Sequence, residues 1–144
     1  MVLIILFILG VIVGSFLNVV IIRIQQGGLS WLRGRSLCPE CHHSLAWYDL
    51  IPLISFLVLG GKCRHCSSNI SIQYPLVEVA TGLLFLLTYV STIVIGGSEL
   101  TLPLFGILLL RNLFIVCILI ILFVYDLRWQ LIPDRISLPA FGVV

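Results

Sequence analysis

Residues 2–22 carry no charge, and Ser15 and Asn18 are the only polar side chains among them. A helix needs about 20 residues to cross the hydrocarbon core of a bilayer. Within lipid every backbone N–H and C=O must be paired inside its own segment, so such a run has to be helical. A secretory signal would instead show a basic start, a shorter apolar stretch and a small-residue cleavage site. None of these is present, so residues 1–22 read as a retained first span.

Two further apolar runs follow, 76–95 with Glu78 near its start, and 103–125. Composition agrees: 60% of the 144 residues are hydrophobic, 10% are charged, and the mean hydropathy is +1.23. Soluble domains carry about 25% charged residues. The net charge of +2 is small and scattered, which argues against a nucleic-acid partner. The partner of most of this surface is the lipid bilayer. Arg111 interrupts the third run; it either snorkels outward from the span or marks a span that starts later. After Arg135 the segment ISLPAFGVV reads as the start of a fourth span. The expected fold is an all-α polytopic membrane protein with three transmembrane helices plus the start of a fourth, in a C-terminally truncated chain.

Residues 23–75 form the polar part. Arg23, Arg33, Arg35, Lys62 and Arg64 are five of the eight basic residues, and Glu40 and Asp49 are the only acids there. Short loops rich in Lys and Arg stay in the cytoplasm. The N-terminus is therefore expected outside and the loop and Asp126 on the cytoplasmic side, residues 126–144 being a cytoplasmic Asp segment and the start of the fourth span. The turn at 96–101 has neither Lys nor Arg, as an outer turn should. Inside the polar part, residues 50–61 are apolar but too short to span. Trp47 and Tyr48 precede them, as expected for a segment lying at the membrane interface. Gly10 and Gly14 match the small-residue spacing of packed membrane helices, a weak signal in a glycine-containing span.

The polar loop contains CPEC (Cys38, Cys41) and CRHC (Cys63, Cys66), with 21 residues between the pairs. Four thiolates at such spacing can surround one tetrahedral zinc ion. The linker is one residue beyond the usual window of about 15–20. The competing reading is four metal-free thiols, either reduced or paired as two disulfides, and a reducing cytoplasm disfavours the disulfides. CPECH also fits the haem-attachment pattern C-x-x-C-H, but that would need an extracytoplasmic loop and leaves the second pair unexplained. With four thiols at hand, His42, His43 and His65 read as surface residues and Cys117 as a small apolar filler. A zinc ion here closes a loop too small for a core of its own.

Asp126 follows the third run directly. It is either a solvated helix end or a functional carboxylate. The helix dipole disfavours an anion there, and Arg128 stands two residues on to offset it. Asp134 follows Pro133 and precedes a new apolar run, so capping the next helix is its natural role. One metal-free reaction uses carboxylates at a membrane edge, namely peptide hydrolysis by two aspartates sharing a proton. The two are usually drawn from separate helices.

The segments GSFLNVVIIRI, CPECHHSLAWYDLIPLISFLVLGGKCRHC, YPLVEVATGLLF and DLRWQLIPDRISLP occur in that order. Together they resemble the bacterial type IV prepilin peptidase family, over nearly the whole chain. The resemblance implies a polytopic aspartic endopeptidase of the cell membrane. Its members cleave the short basic leader of prepilins or pseudopilins of pili, type II secretion or competence after a glycine, on the cytoplasmic side. Many then methylate the new N-terminus with S-adenosylmethionine. The resemblance puts the first catalytic aspartate on Asp126 and the metal loop on Cys38, Cys41, Cys63 and Cys66, and leaves Asp134 outside the catalytic pair.

The sequence departs from the family where the second aspartate is expected, because no G-x-G-D segment occurs in these residues. The chain as given is therefore expected to be proteolytically inactive. Gln25 also stands where a proline often follows "RI", and Gln73 where a basic residue often precedes "YP". The competing expectation is a non-enzymatic membrane adaptor or assembly protein with a structural zinc loop. A third keeps only the methyltransferase role, although no glycine-rich cradle for S-adenosylmethionine is visible.

Overall fold

The computed structural model describes residues 1–25, 36–96 and 101–129. The region after Trp129, with Asp134 and the expected fourth span, lies outside the described residues, as do Arg33 and Arg35. Four α-helices follow one another: α1 (Val2–Gln25), the short α2 (Ile54–Val58), α3 (Gln73–Gly96) and α4 (Leu102–Trp129). Among the described residues there are no β-strands, only two isolated bridges, Leu37 with Ser44 and Lys62 with Asn69. Three helices among the described residues, α1, α3 and α4, are long and apolar enough to cross a membrane.

The helices outrun the apolar segments that predict them. Their ends are set by backbone signals rather than by hydropathy. At the start of α3 the Ser71 hydroxyl accepts the Gln73 amide hydrogen at 3.3 Å. Pro75 sits in the first turn, where a missing N–H costs nothing. Pro103 does the same for α4. At its other end α4 runs on to Trp129, so Asp126 lies in its last turn rather than beyond it.

α1 and α3 are the closest pair, antiparallel, and glycines set their distance. A Cβ on Gly10 would stand 2.7 Å from the Gly82 Cα, and one on Gly14 would stand 2.9 Å from the Glu78 Cα. The small-residue spacing in α1 is thus the face on which the backbones meet. Buried hydroxyls on α3 satisfy themselves within the helix: Thr81 donates to the Val77 carbonyl at 2.7 Å, Thr88 to Leu84 at 2.7 Å and Thr92 to Thr88 at 2.8 Å. α4 packs more loosely. Its Ile120 joins Leu17 and Val77 in a small core flanked by Val13, Val116, Cys117, Ile121 and Val124.

Near the far end of α3, the Asn112 side-chain amide donates to the Thr92 hydroxyl at 3.4 Å. Arg111 beside it is exposed and donates to the Asn112 carbonyl oxygen at 3.2 Å. Thr92 lies four residues short of the end of α3, about 6 Å. Arg111, next to Asn112, therefore stands near the level of Thr92, about that far from the end of α3.

Candidate functional site

The chain between α1 and α3 folds back so that all four cysteines converge. Their sulfurs lie within 4.8 Å of one another, with Cys38 and Cys63 buried and Cys41 and Cys66 exposed. The Cys38 and Cys66 sulfurs are 3.8 Å apart. A tetrahedral zinc with Zn–S near 2.3 Å requires sulfurs about 3.8 Å apart, so the donor set fits such an ion.

The two C-x-x-C turns are built alike. The Cys38 amide donates to the His43 carbonyl at 3.0 Å and the Cys63 amide to the Ser68 carbonyl at 2.8 Å. The His42 amide closes back on the Cys38 carbonyl at 3.0 Å, and the Ser67 amide on that of Cys63 at 3.0 Å. His42 and Ser67 take the left-handed backbone conformation that ends each turn, with φ of 55° and 56°. An outer hydrogen bond completes each copy: Leu45 to Ser36 at 2.8 Å, Ile70 to Gly61 at 2.7 Å. The repeat is one of backbone geometry. Beyond the cysteines the two stretches, SLCPECHHSL and GKCRHCSSNI, share almost nothing, so sequence inspection passes over it.

The cluster divides its protons unevenly. The amides of Cys41 and Glu40 point at the Cys38 sulfur and pull its pKa down to about 6. The Cys66 thiol is lowered by the Ser68 hydroxyl and amide. At Cys41 the His43 amide favours the thiolate, but desolvation and hydrogen bonds to the other three sulfurs win and push it up to about 11. Three sulfurs thus gather round one that keeps its proton, an arrangement a cation can replace. The rings of His43 and His65, expected as separate surface residues, stack across the two turns with centroids 3.6 Å apart.

The loop is tied down at two points. Arg64 meets Asp49 at 2.9 Å and lies over the Tyr48 ring at 5.1 Å, joining the second turn to the 3-10 turn Trp47–Leu50. Glu78 on α3 accepts the Leu53 amide hydrogen at 2.8 Å. Sequence reasoning placed Glu78 near the end of a span but gave it no partner. An acid three residues into an apolar run was the available signal.

Asp126 stands apart from the cysteines in sequence but not in level. α1 descends, α3 returns and α4 descends again, so the last turn of α4 lies at the same end of the bundle as the cysteine loop. Asn18, near the lower end of α1, donates to the Tyr74 carbonyl at 3.1 Å, and Arg128 lies within electrostatic reach of Tyr74. Asp126 itself is exposed and has no hydrogen bond or ion pair among the described residues. Arg128, expected to offset its charge, lies over the Trp129 ring at 5.5 Å.

Three antiparallel apolar helices with a four-thiol loop inserted between the first two define a polytopic membrane protein with a candidate metal centre. The chain belongs to the family described as the bacterial peptidase A24 N-terminal domain, whose model matches residues 8–92. It is 41% identical over 139 residues to a prepilin leader peptidase/N-methyltransferase of Klebsiella pneumoniae, covering 93% of this chain and 56% of the relative. A Vibrio cholerae protein of the same name is 35% identical over 142 residues, covering 93% and 51%. One from Myxococcus xanthus is 59% identical over 80 residues, covering 56% and 24%. The chain thus spans between a quarter and just over half of the length of these curated relatives. No solved structure matches it.

Proposed function

We propose that the chain is the N-terminal part of a membrane aspartic endopeptidase that removes the leader from type IV prepilins or pseudopilins, with Asp126 as one carboxylate of the catalytic pair. The observation that carries this is the threading of the helices, which brings Asp126, exposed and with no side-chain partner among the described residues, to the end of the bundle that holds the cysteine loop. The names of the relatives, prepilin leader peptidase/N-methyltransferase, point the same way. The basic residues of the loop favour the cytoplasmic face of the bacterial inner membrane for that end.

In this chemistry two carboxyls share one proton, because both cannot ionise cheaply at close range. The ionised member takes a proton from water, and that water attacks the scissile carbonyl carbon. The protonated member polarises the carbonyl oxygen. The partner of Asp126 belongs to a G-x-G-D segment on a later helix, and none occurs in these residues. On this reading they do not cleave alone. Cys38, Cys41, Cys63 and Cys66 would hold one zinc ion, which supplies structure to the loop rather than a step in hydrolysis. N-methylation with S-adenosylmethionine is proposed for the whole protein.

The test uses the full-length protein in vesicles with a prepilin substrate. Asp126→Asn is expected to abolish leader removal while the zinc content stays at one per chain. Normal cleavage by that variant would move the chemistry elsewhere. A second reading, a non-enzymatic adaptor with a structural zinc loop, is favoured by the complete thiol set beside a single acid. It predicts bound zinc and no cleavage even by the unaltered full-length protein.

A further inference from the structure

The segment between the two cysteine turns presents apolar side chains that nothing among the described residues covers. Trp47 is 76% exposed, Leu57 76%, Val58 75% and Ile54 59%. Its one acid is withdrawn: the Asp49 side chain is 6% exposed, held by Arg64 and by the Ala46 amide at 3.3 Å. A surface that is apolar with its carboxylate neutralised suits lipid better than water.

The depth of this segment is set by its attachment. At Leu53 the backbone makes a tight turn, with φ 59° and ψ −47°, and the Ile54 amide reaches the Pro52 carbonyl at 2.6 Å. This is a γ-turn of the strained hand, rare for a residue with a side chain. It aims the Leu53 amide at Glu78, which is buried between α3 and α1 and which the Ser15 hydroxyl also reaches. Glu78 lies five residues into α3, and a hydrocarbon layer of about 30 Å counted back from Gly96 ends near Leu76. Counted along α1 from Val2, the same layer ends near Ile22, seven residues past Ser15. By both counts the contact lies inside the apolar layer, by about 3 to 10 Å.

We propose that residues 47–59 are an in-plane membrane anchor, seated at the boundary of acyl chains and headgroups on the cysteine-loop side, with Glu78 as the latch that holds them there. Trp47 and the exposed face of α2 meet lipid, continuing the lipid-facing surface of α1 and α3. The metal centre then rides on the membrane surface at a fixed height. This holds whether or not the protein is a protease.

The probe is the fluorescence of Trp47 in the chain carrying Trp31→Phe and Trp129→Phe, reconstituted in vesicles of phosphatidylcholine and phosphatidylglycerol. The expected emission is blue-shifted. Bromine near the headgroup end of the acyl chains should quench it more than bromine near the chain terminus. Emission typical of water, quenched by aqueous iodide and untouched by brominated lipid, overturns the anchor. Glu78→Gln keeps an oxygen to accept the Leu53 amide and should match the unaltered chain. Glu78→Ala should shift emission to the red and lose much of the lipid quenching. Unchanged quenching in Glu78→Ala, or its loss in Glu78→Gln, overturns the latch.

Discussion

Cys38 and Cys66, 28 positions apart in the chain, hold their sulfurs 3.8 Å from each other. That spacing is the edge of a zinc–thiolate tetrahedron, and it arises here from protein geometry alone. One zinc per chain is expected by metal analysis of protein purified without chelators. Cys38→Ser and Cys63→Ser remove buried ligands and should lose it. Structural zinc contributes roughly 10–16 kcal/mol to small folded loops, so the variants should also be cut rapidly by protease between residues 36 and 70. Metal-free protein with a protease-resistant loop would contradict this.

Metal affinity should rise with pH. The ligands are thiolates, so any thiol still protonated must give up its proton on binding. Cys41, held at about 11, is such a group at neutral pH, whereas Cys38, at about 6, is already largely ionised. At least one proton is therefore released per zinc near pH 7.5. Below about pH 6 Cys38 also competes, and the dependence steepens. Chelator competition at pH 5.5, 6.5 and 7.5 reads the slope; a flat profile would exclude thiolate ligation.

Gly14→Ala should loosen the α1–α3 pair. The added methyl meets the Glu78 Cα and the Thr81 side chain at 2.9 Å, and a helix backbone cannot step aside alone. Overpacking of this kind costs about 1–3 kcal/mol. Gly106→Ala is the control, since nothing lies within 4 Å of its added carbon. It should be neutral or gain up to about 1 kcal/mol from backbone entropy. Unfolding in mixed micelles titrated with dodecyl sulfate compares the two, and equal stability would sink the packing argument.

The contact between Asn112 and Thr92 is the polar link from α4 to α3. At 3.4 Å it is long for a hydrogen bond, and such links between membrane helices average about 0.6 kcal/mol. A double-mutant cycle with Asn112→Ala and Thr92→Val should give a coupling of that size. A value above about 2 kcal/mol would mean that α4 is held far more tightly than its sparse packing implies.

Residue types and their spacing already determined the three spans, because a chain in lipid has one way to pair its backbone locally and an apolar run declares it. They also determined the thiol set, since two C-x-x-C turns on one loop leave few other partners. The tertiary structure decided everything that depends on distant residues meeting. It turned Glu78, an acid near the end of a span, into the partner of Leu53, and made Gly10 and Gly14 the face where two backbones touch. It gave the two cysteine turns one shared backbone pattern under different side chains. It also carried α4 past the end of its apolar run, so that Asp126 sits inside a helix rather than after one. Hydropathy records where a segment is comfortable; which side chain stands opposite it is fixed only when the helices pack.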